Sequence, residues 1–265
     1  MLCVGACAHP AAVRGRRALD ERAFRLAASE LTIAVREQPD ETSYWVDLGR
    51  AQVGLGAAAE AARAFGVACE RSPRTPRLWV YLGHAHELGR DYDRAEIDYR
   101  RAIALAPDRA WLHRVLGARL LRWGRPDEAV EPLRRARALD PHHQETHNAL
   151  ATALFRAGQP QQAERVFKRA IAAFPEARSL RLGLAVVLLE EGREREALMV
   201  YAKVLESWPH FAPAHAGRSL ILQDLGEWAS AERELEEAIR KAPWRDDYRA
   251  QLAALRQRQP RFIRE

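Results

Sequence analysis

An all-α solenoid of repeated helix pairs is the fold this chain predicts, on two regularities. Prolines at 39, 73, 107, 141, 175, 209 and 243 stand 34 residues apart. Between them, small and large apolar residues recur in one register, with a helical and not an alternating pattern. A fixed period of about 20–50 residues marks a stack in which each unit buries its apolar face against the next.

Residues 1–19 read as a disordered or leader-like N-terminus, because the stretch around 8–18 is short and rich in Pro, Gly and Arg. Residues 20–41 read as a partial repeat. Its one helix, 20–37, has Asp20 as candidate N-cap and carries Phe24, Leu26, Ala27, Leu31 and Ala34. Six full copies follow at 42–75, 76–109, 110–143, 144–177, 178–211 and 212–245. Position 20 is alanine in every copy, from Ala61 to Ala231, and position 27 is alanine except at Val204. Position 24 is always large: Phe65, Tyr99, Leu133, Phe167, Tyr201 and Leu235. Positions 7 and 8 run from Leu48-Gly49 and Leu82-Gly83 to Leu184-Ala185, then decay to Arg218-Ser219.

Each type has a physical reason. Small residues at 8, 20 and 27 let helix backbones approach, and large ones at 4, 7, 11 and 24 fill the space between them. Glycine at position 15 (Gly56, Gly124, Gly158, Gly192 and Gly226) ends the first helix in a left-handed turn. The second copy has Gly89 one residue early, then Arg90-Asp91, which predicts a longer turn. Proline at position 32 stops the second helix. Pro126 and Pro160 suit a first helical turn, whereas Pro132 falls inside a helix and predicts a kink. Residues 246–258, with Tyr248, Leu252 and Leu255 among polar neighbours, read as a capping helix, and 259–265 as a tail.

The pattern, with Trp45 and Trp79 at position 4, resembles the tetratricopeptide repeat of bacterial proteins over about three quarters of the chain. That resemblance implies a right-handed superhelical solenoid whose first helices line a concave groove, with positions 2, 5, 9 and 12 facing a bound segment. On it, the candidate partner-binding residues are Arg50, Arg77, His84, Trp111, Arg114, Asn148, Phe155, Leu182, Val186 and Leu220. Val46, Val80 and Glu87 fall on the same mapped face, as does Ala216. The groove is then cationic and aromatic in the first four copies and apolar towards the C-terminus, which suits a segment with an acidic and an apolar part. Trp111 and Phe155 are the candidate anchors. Two specialised variants of the family are not met. The carboxylate clamp needs Lys and Asn at positions 5 and 9 of its copies, and the asparagine ladder needs Asn at position 6, which here reads Asp47, Tyr81, Val115, Ala149, Gly183 and Gly217.

Composition narrows the rest. The chain has 42 Lys and Arg against 36 Asp and Glu, for a net charge of +6. The arginines interleave with carboxylates at helical spacing, which describes a solvated face more than a nucleic-acid surface. The best basic clusters are Arg14–Arg17 and Arg134–Arg137. Cys69 reads as a buried packing residue. Val4-Gly5-Ala6 before Cys7 looks like the end of a lipoprotein signal, but no basic and apolar leader precedes it, so lipidation at Cys7 is a secondary reading. His113, His147 and His215 share position 4 and read as packing residues, and no pair of histidines gains a third ligand at metal spacing. No phosphate loop, nucleophile elbow or zinc-protease motif is present.

The expectation is a non-enzymatic scaffold without cofactor or metal, cytoplasmic, holding a protein or peptide segment. Its rivals are an envelope lipoprotein, on the periplasmic face, that assists assembly of a surface or secretion complex, and a basic nucleic-acid-associated solenoid. Membrane attachment enters only with lipidation at Cys7.

Overall fold

The computed structural model describes residues 9–258, and every regular element among them is an α-helix. The chain divides into two compact units between Trp123 and Gly124. Unit 1 holds α1 (Pro10–Asp20), α2 (Phe24–Glu37), α3 (Thr42–Gly54), α4 (Ala58–Arg71), α5 (Pro76–Leu88), α6 (Tyr92–Leu105) and α7 (Ala110–Arg122). Unit 2 holds α8 (Pro126–Leu139), α9 (Gln144–Arg156), α10 (Pro160–Ala173), α11 (Arg178–Glu190), α12 (Glu194–Ser207), α13 (Ala212–Asp224), α14 (Trp228–Lys241) and α15 (Asp246–Arg258).

The turn inside each repeat shows how strictly the period is kept. Residues with positive φ stand at Arg22, Gly56, Arg90, Gly124, Gly158, Gly192 and Gly226, every one 34 from the next. The N–H one residue later closes back on a carbonyl five residues upstream, as in Ala23 to Ala18, Asp91 to His86 and Gln159 to Leu154. This satisfies carbonyls that a helix end would otherwise leave bare.

Three sequence expectations are corrected here. The turn after Gly89 is no longer than the others: Arg90 itself takes the left-handed conformation, at φ 62°, and α6 starts in register at Tyr92. The N-terminal stretch 10–20 is a regular helix and not a disordered leader, because each feature that looked hostile to a helix is well placed. Pro10 lies in the first turn, where its missing N–H costs nothing. Gly15 is needed, since a Cβ there would stand 2.6 Å from Leu31 Cγ. Arg14, Arg16 and Arg17 reach Glu30, Asp47 and Glu21. Asp20 is the last residue of α1 and not the cap of α2, which starts only after the turn at Arg22. Thus 9–41 is most of a seventh repeat. α8 runs on through Pro132 to Leu139. Residues 1–8 and 259–265, with Cys3, Cys7 and the tail, lie outside the described residues.

A second regularity links neighbouring repeats. The side chain at position 4 donates an N–H to the carbonyl of the proline ending the repeat before it. Trp45 bonds Pro39 at 2.8 Å, Trp79 bonds Pro73 at 2.9 Å, and His113 and His147 bond Pro107 and Pro141 at 2.8 Å. Arg181, His215 and Arg249 do the same to Pro175, Pro209 and Pro243. The histidines at this position are therefore donors first and packing residues second.

The core follows the register. Ala61, Ala68, Ala95, Ala102, Ala163 and Ala170 are at most 0% exposed, so backbones meet there. Cys69 packs with Phe65, Ala68 and Leu78, and burial, helped by the nearby charge of Asp98, pushes its thiol up to about 12. Tyr248, Leu252 and Leu255 are the buried residues of α15, the last helix of unit 2.

Candidate protein-binding site

In unit 1, α1 touches α3 and α3 touches α5, so the first helices share one layer. In unit 2, α9 touches α11. Helical periodicity then directs positions 2, 9 and 12 outward from that layer. Arg50 and Arg77 are exposed, and Arg50 is drawn 3.2 Å from Asp47 of its own helix. Trp111 and Arg114 of α7 are half-buried, as are Asn148 and Phe155 of α9 and Leu182 of α11. Val186 and Leu220 are open to solvent at 43% and 48%. Position 5 does not serve the surface everywhere: Val80 and Ala216, mapped to the same face, are buried.

His84 is the residue around which a site is built. With Val53, Glu87 and Leu88 it lines a crevice of about 400 Å³, closed by Tyr92 and Trp123 and flanked by Arg90 and Arg122. Three apolar side chains here are open to solvent: Val53, Leu88 and Tyr92 are 39–42% exposed. Glu87 is the hub beneath them. It accepts the Tyr99 hydroxyl and the Trp123 indole N–H, each at 3.2 Å, and pairs with Arg119 at 3.2 Å and Arg122 at 3.7 Å. Arg119 in turn donates to Nε2 of His84 at 2.9 Å, which fixes a neutral ring with its proton on Nδ1. Burial, and then the Arg119 charge, lower the His84 pKa to about 4. Burial also raises the Tyr99 phenol. Tyr92 and Tyr99 lie 5.2 and 6.2 Å from the Trp123 ring, and His84 meets Tyr99 edge-on at 5.7 Å.

Glu87, Tyr99, Trp123, Arg119 and Nε2 of His84 hold one another at the base of the crevice, and such preorganisation lowers the cost of binding. Its rim offers Arg90 and Arg122 beside open apolar surface. Sequence reading found His84 and Glu87 on the mapped face but missed Arg119, Trp123 and Tyr92. These stand at positions 10, 14 and 17, near the intra-repeat turn, and an aromatic one residue before Gly124 was the available signal. Among the described residues no cluster of three metal-ligating side chains occurs, and no helix is long and apolar enough to cross a membrane.

Comparison with known proteins agrees with this architecture. Among curated proteins no sequence matches. Among solved structures, a tetratricopeptide repeat protein from Parabacteroides merdae superposes with a TM-score of 0.66 at 16% identity, covering 92% of this chain and 97% of that one. PilW, described as a widely conserved type IV pilus biogenesis factor, gives 0.62 at 20% identity over 80% and 98%. YrrB, described as a repeat protein with an unusual peptide-binding site, gives 0.51 at 23% identity over 69% and 94%. Models of the tetratricopeptide repeat match 13–74, 46–110, 90–143 and 148–210, and a second such model matches 188–255. With those matches covering nearly the whole stack, and the register of turns and small residues behind them, the chain belongs to the tetratricopeptide repeat family.

Proposed function

We propose that this protein is a non-enzymatic scaffold that holds a segment of another protein against the face formed by its first helices. The observation that carries the reading is the crevice around Glu87, where a fixed polar base underlies open apolar side chains and two arginines. Such a surface suits a segment presenting an aliphatic or aromatic side chain next to a carboxylate. Arg50, Arg77, Trp111 and Arg114 extend the same cationic and aromatic character along unit 1. In unit 2, Asn148 and Phe155 add a polar and an aromatic group, and Leu182, Val186 and Leu220 offer an apolar counterpart. Peptide binding in the relative YrrB supports the same direction.

The test pairs capture with position. The protein carrying a photoreactive benzoylphenylalanine in place of Val53 is irradiated in native lysate, with and without the Arg90→Glu, Arg122→Glu double change. A partner cross-linked at 53 and lost from the double variant supports the crevice as the site. A partner retained equally by both, with no cross-link at 53, overturns it. We place the protein in the cytoplasm. Attachment to the envelope is the alternative, because Cys7 follows Val4-Gly5-Ala6; mass spectrometry of the native chain finds lipid on Cys7 if that alternative holds.

A further inference from the structure

The second helices of unit 2 carry a surface that the first-helix site does not explain. Four arginines, Arg134 and Arg137 of α8 with Arg165 and Arg169 of α10, wall a crevice of about 300 Å³. Its floor is Leu150, Leu154 and Val166, and no carboxylate lines it. One repeat further on, Lys168, Arg181 and Lys203 surround Ile171, Leu184 and Val200 in a crevice of about 250 Å³. The two are the same place in successive repeats. Arg134 and Lys168 both stand at position 25, and Arg169 and Lys203 both at position 26.

Many arginines of this chain pair with carboxylates three or four residues away, as in Arg63 with Glu60, Arg100 with Glu96 and Arg240 with Glu237. Here that compensation is thin. Arg134 is 4.0 Å from Glu131 and leans on Gln162, and Lys168 is held by Glu164 at 2.6 Å. Among the described residues, Arg137, Arg165, Arg169 and Lys203 have no carboxylate partner. Like charges gathered around an apolar floor repel one another, and a bound anion relieves that repulsion.

We propose that this face docks an extended acidic segment of a partner protein, with carboxylates gripped in the arginine crevice and an aliphatic side chain seated in the next. Guanidinium groups match the planar carboxylate in pairs. The apolar floors accept the methylenes of a glutamate or the side chain of a leucine. No aromatic ring lines either crevice, so the stacking platforms that hold single-stranded nucleic acid are missing. The apolar groups are recessed floors and not protruding anchors, which argues against a lipid surface. This surface is separate from the crevice at Glu87 and does not depend on it.

Fluorescence anisotropy on the full chain tests the proposal, with a fluorescein-labelled peptide of four Glu-Glu-Leu triplets as probe. A Gly-Ser-Leu peptide of equal length and an oligothymidine serve as controls. The Glu-Glu-Leu peptide binds, and the Arg137→Gln, Arg165→Gln variant weakens it by about tenfold or more, the expected effect of losing two charge-assisted contacts. The same roughly tenfold loss on Arg137→Gln, Arg165→Gln persists in an Arg90→Glu, Arg122→Glu background, which separates this surface from the first-helix site. Thermal melts followed by circular dichroism check that the fold survives. If the first variant does not fold, Arg169→Gln with Lys203→Gln takes its place. Failure of the intact chain to bind the acidic peptide overturns the proposal. So does unchanged binding by a folded variant, or tighter binding of oligothymidine that the same substitutions weaken in parallel.

Discussion

The two units seat their large position-24 side chain in different places. In unit 1 the room comes from glycine at position 8 of the same repeat: a Cβ on Gly49 would stand 2.5 Å from the Phe65 ring, and one on Gly83 2.8 Å from Tyr99. The other side of Phe65 is covered by Tyr81, position 6 of the following repeat, stacked at 5.4 Å. In unit 2 position 8 has become Ala151 and Ala185, and the glycine has moved to position 6 of the following repeat. There a Cβ on Gly183 would strike Phe167 and one on Gly217 would strike Tyr201. The ring therefore needs one small neighbour, and which repeat supplies it is free. Packing density is the constraint, not the identity of any single column.

This comparison can be broken by moving the vacancy. Gly49→Ala in unit 1 and Gly183→Ala in unit 2 each cost roughly 1–3 kcal/mol, the usual penalty for overpacking a filled site. Each is eased by a companion Phe65→Leu or Phe167→Leu. Ala151→Gly in unit 2 costs only the roughly 0.5–1 kcal/mol of glycine in a helix, because the room it opens is not where Phe167 lacks space. Hydrogen exchange resolved by unit, in denaturant, measures all three. A cost for Gly183→Ala below that of Ala151→Gly breaks the account.

Acid separates the units next. The His84 pKa falls from 6.5 to about 4 on folding, chiefly by burial, so the unfolded chain binds the extra proton first. Unit 1 accordingly loses stability as pH drops through 6.5 towards 4, by ~2 kcal/mol once partial exposure is discounted, and His84→Gln flattens that slope. In unit 2 Glu164 is drawn down from 4.5 to about 2 by hydrogen bonds from Arg193 and Lys168. Its contribution is lost only as pH falls through 4.5 towards 2. Urea midpoints read unit by unit between pH 7 and 3 show whether unit 1 yields first. The smallest effect concerns the turn. Arg90→Gly, relieving φ 62° at a non-glycine residue, stabilises unit 1 by about 0.5–1 kcal/mol.

The period was legible in the sequence because proline, glycine and alanine report backbone requirements that hardly depend on context. The prolines at 34-residue intervals and the alanines at position 20 were enough to place the helices of the six full copies. The errors came where one residue type served an unusual role. Arg90 took a glycine's conformation, and Gly15, Pro10 and three arginines made a helix look improbable at 10–20. The mapped face was partly legible: His84 was on it, but the side chains that brace it come from turn positions outside the mapped columns. The arginine crevice in unit 2 was half visible as the run at 134–137, since its other wall lies roughly one period away, at Arg165 and Arg169.

The bond from position 4 to the preceding proline carbonyl has a consequence for how such chains are compared. Trp45, His147 and Arg181 differ in volume, charge and hydropathy, yet each delivers one N–H to the same oxygen. What recurs in that column is a proton at a fixed reach, not a side chain. An alignment scored by residue similarity weighs the column as drift, and one scored by what each side chain can donate would find it unchanged in all seven occurrences.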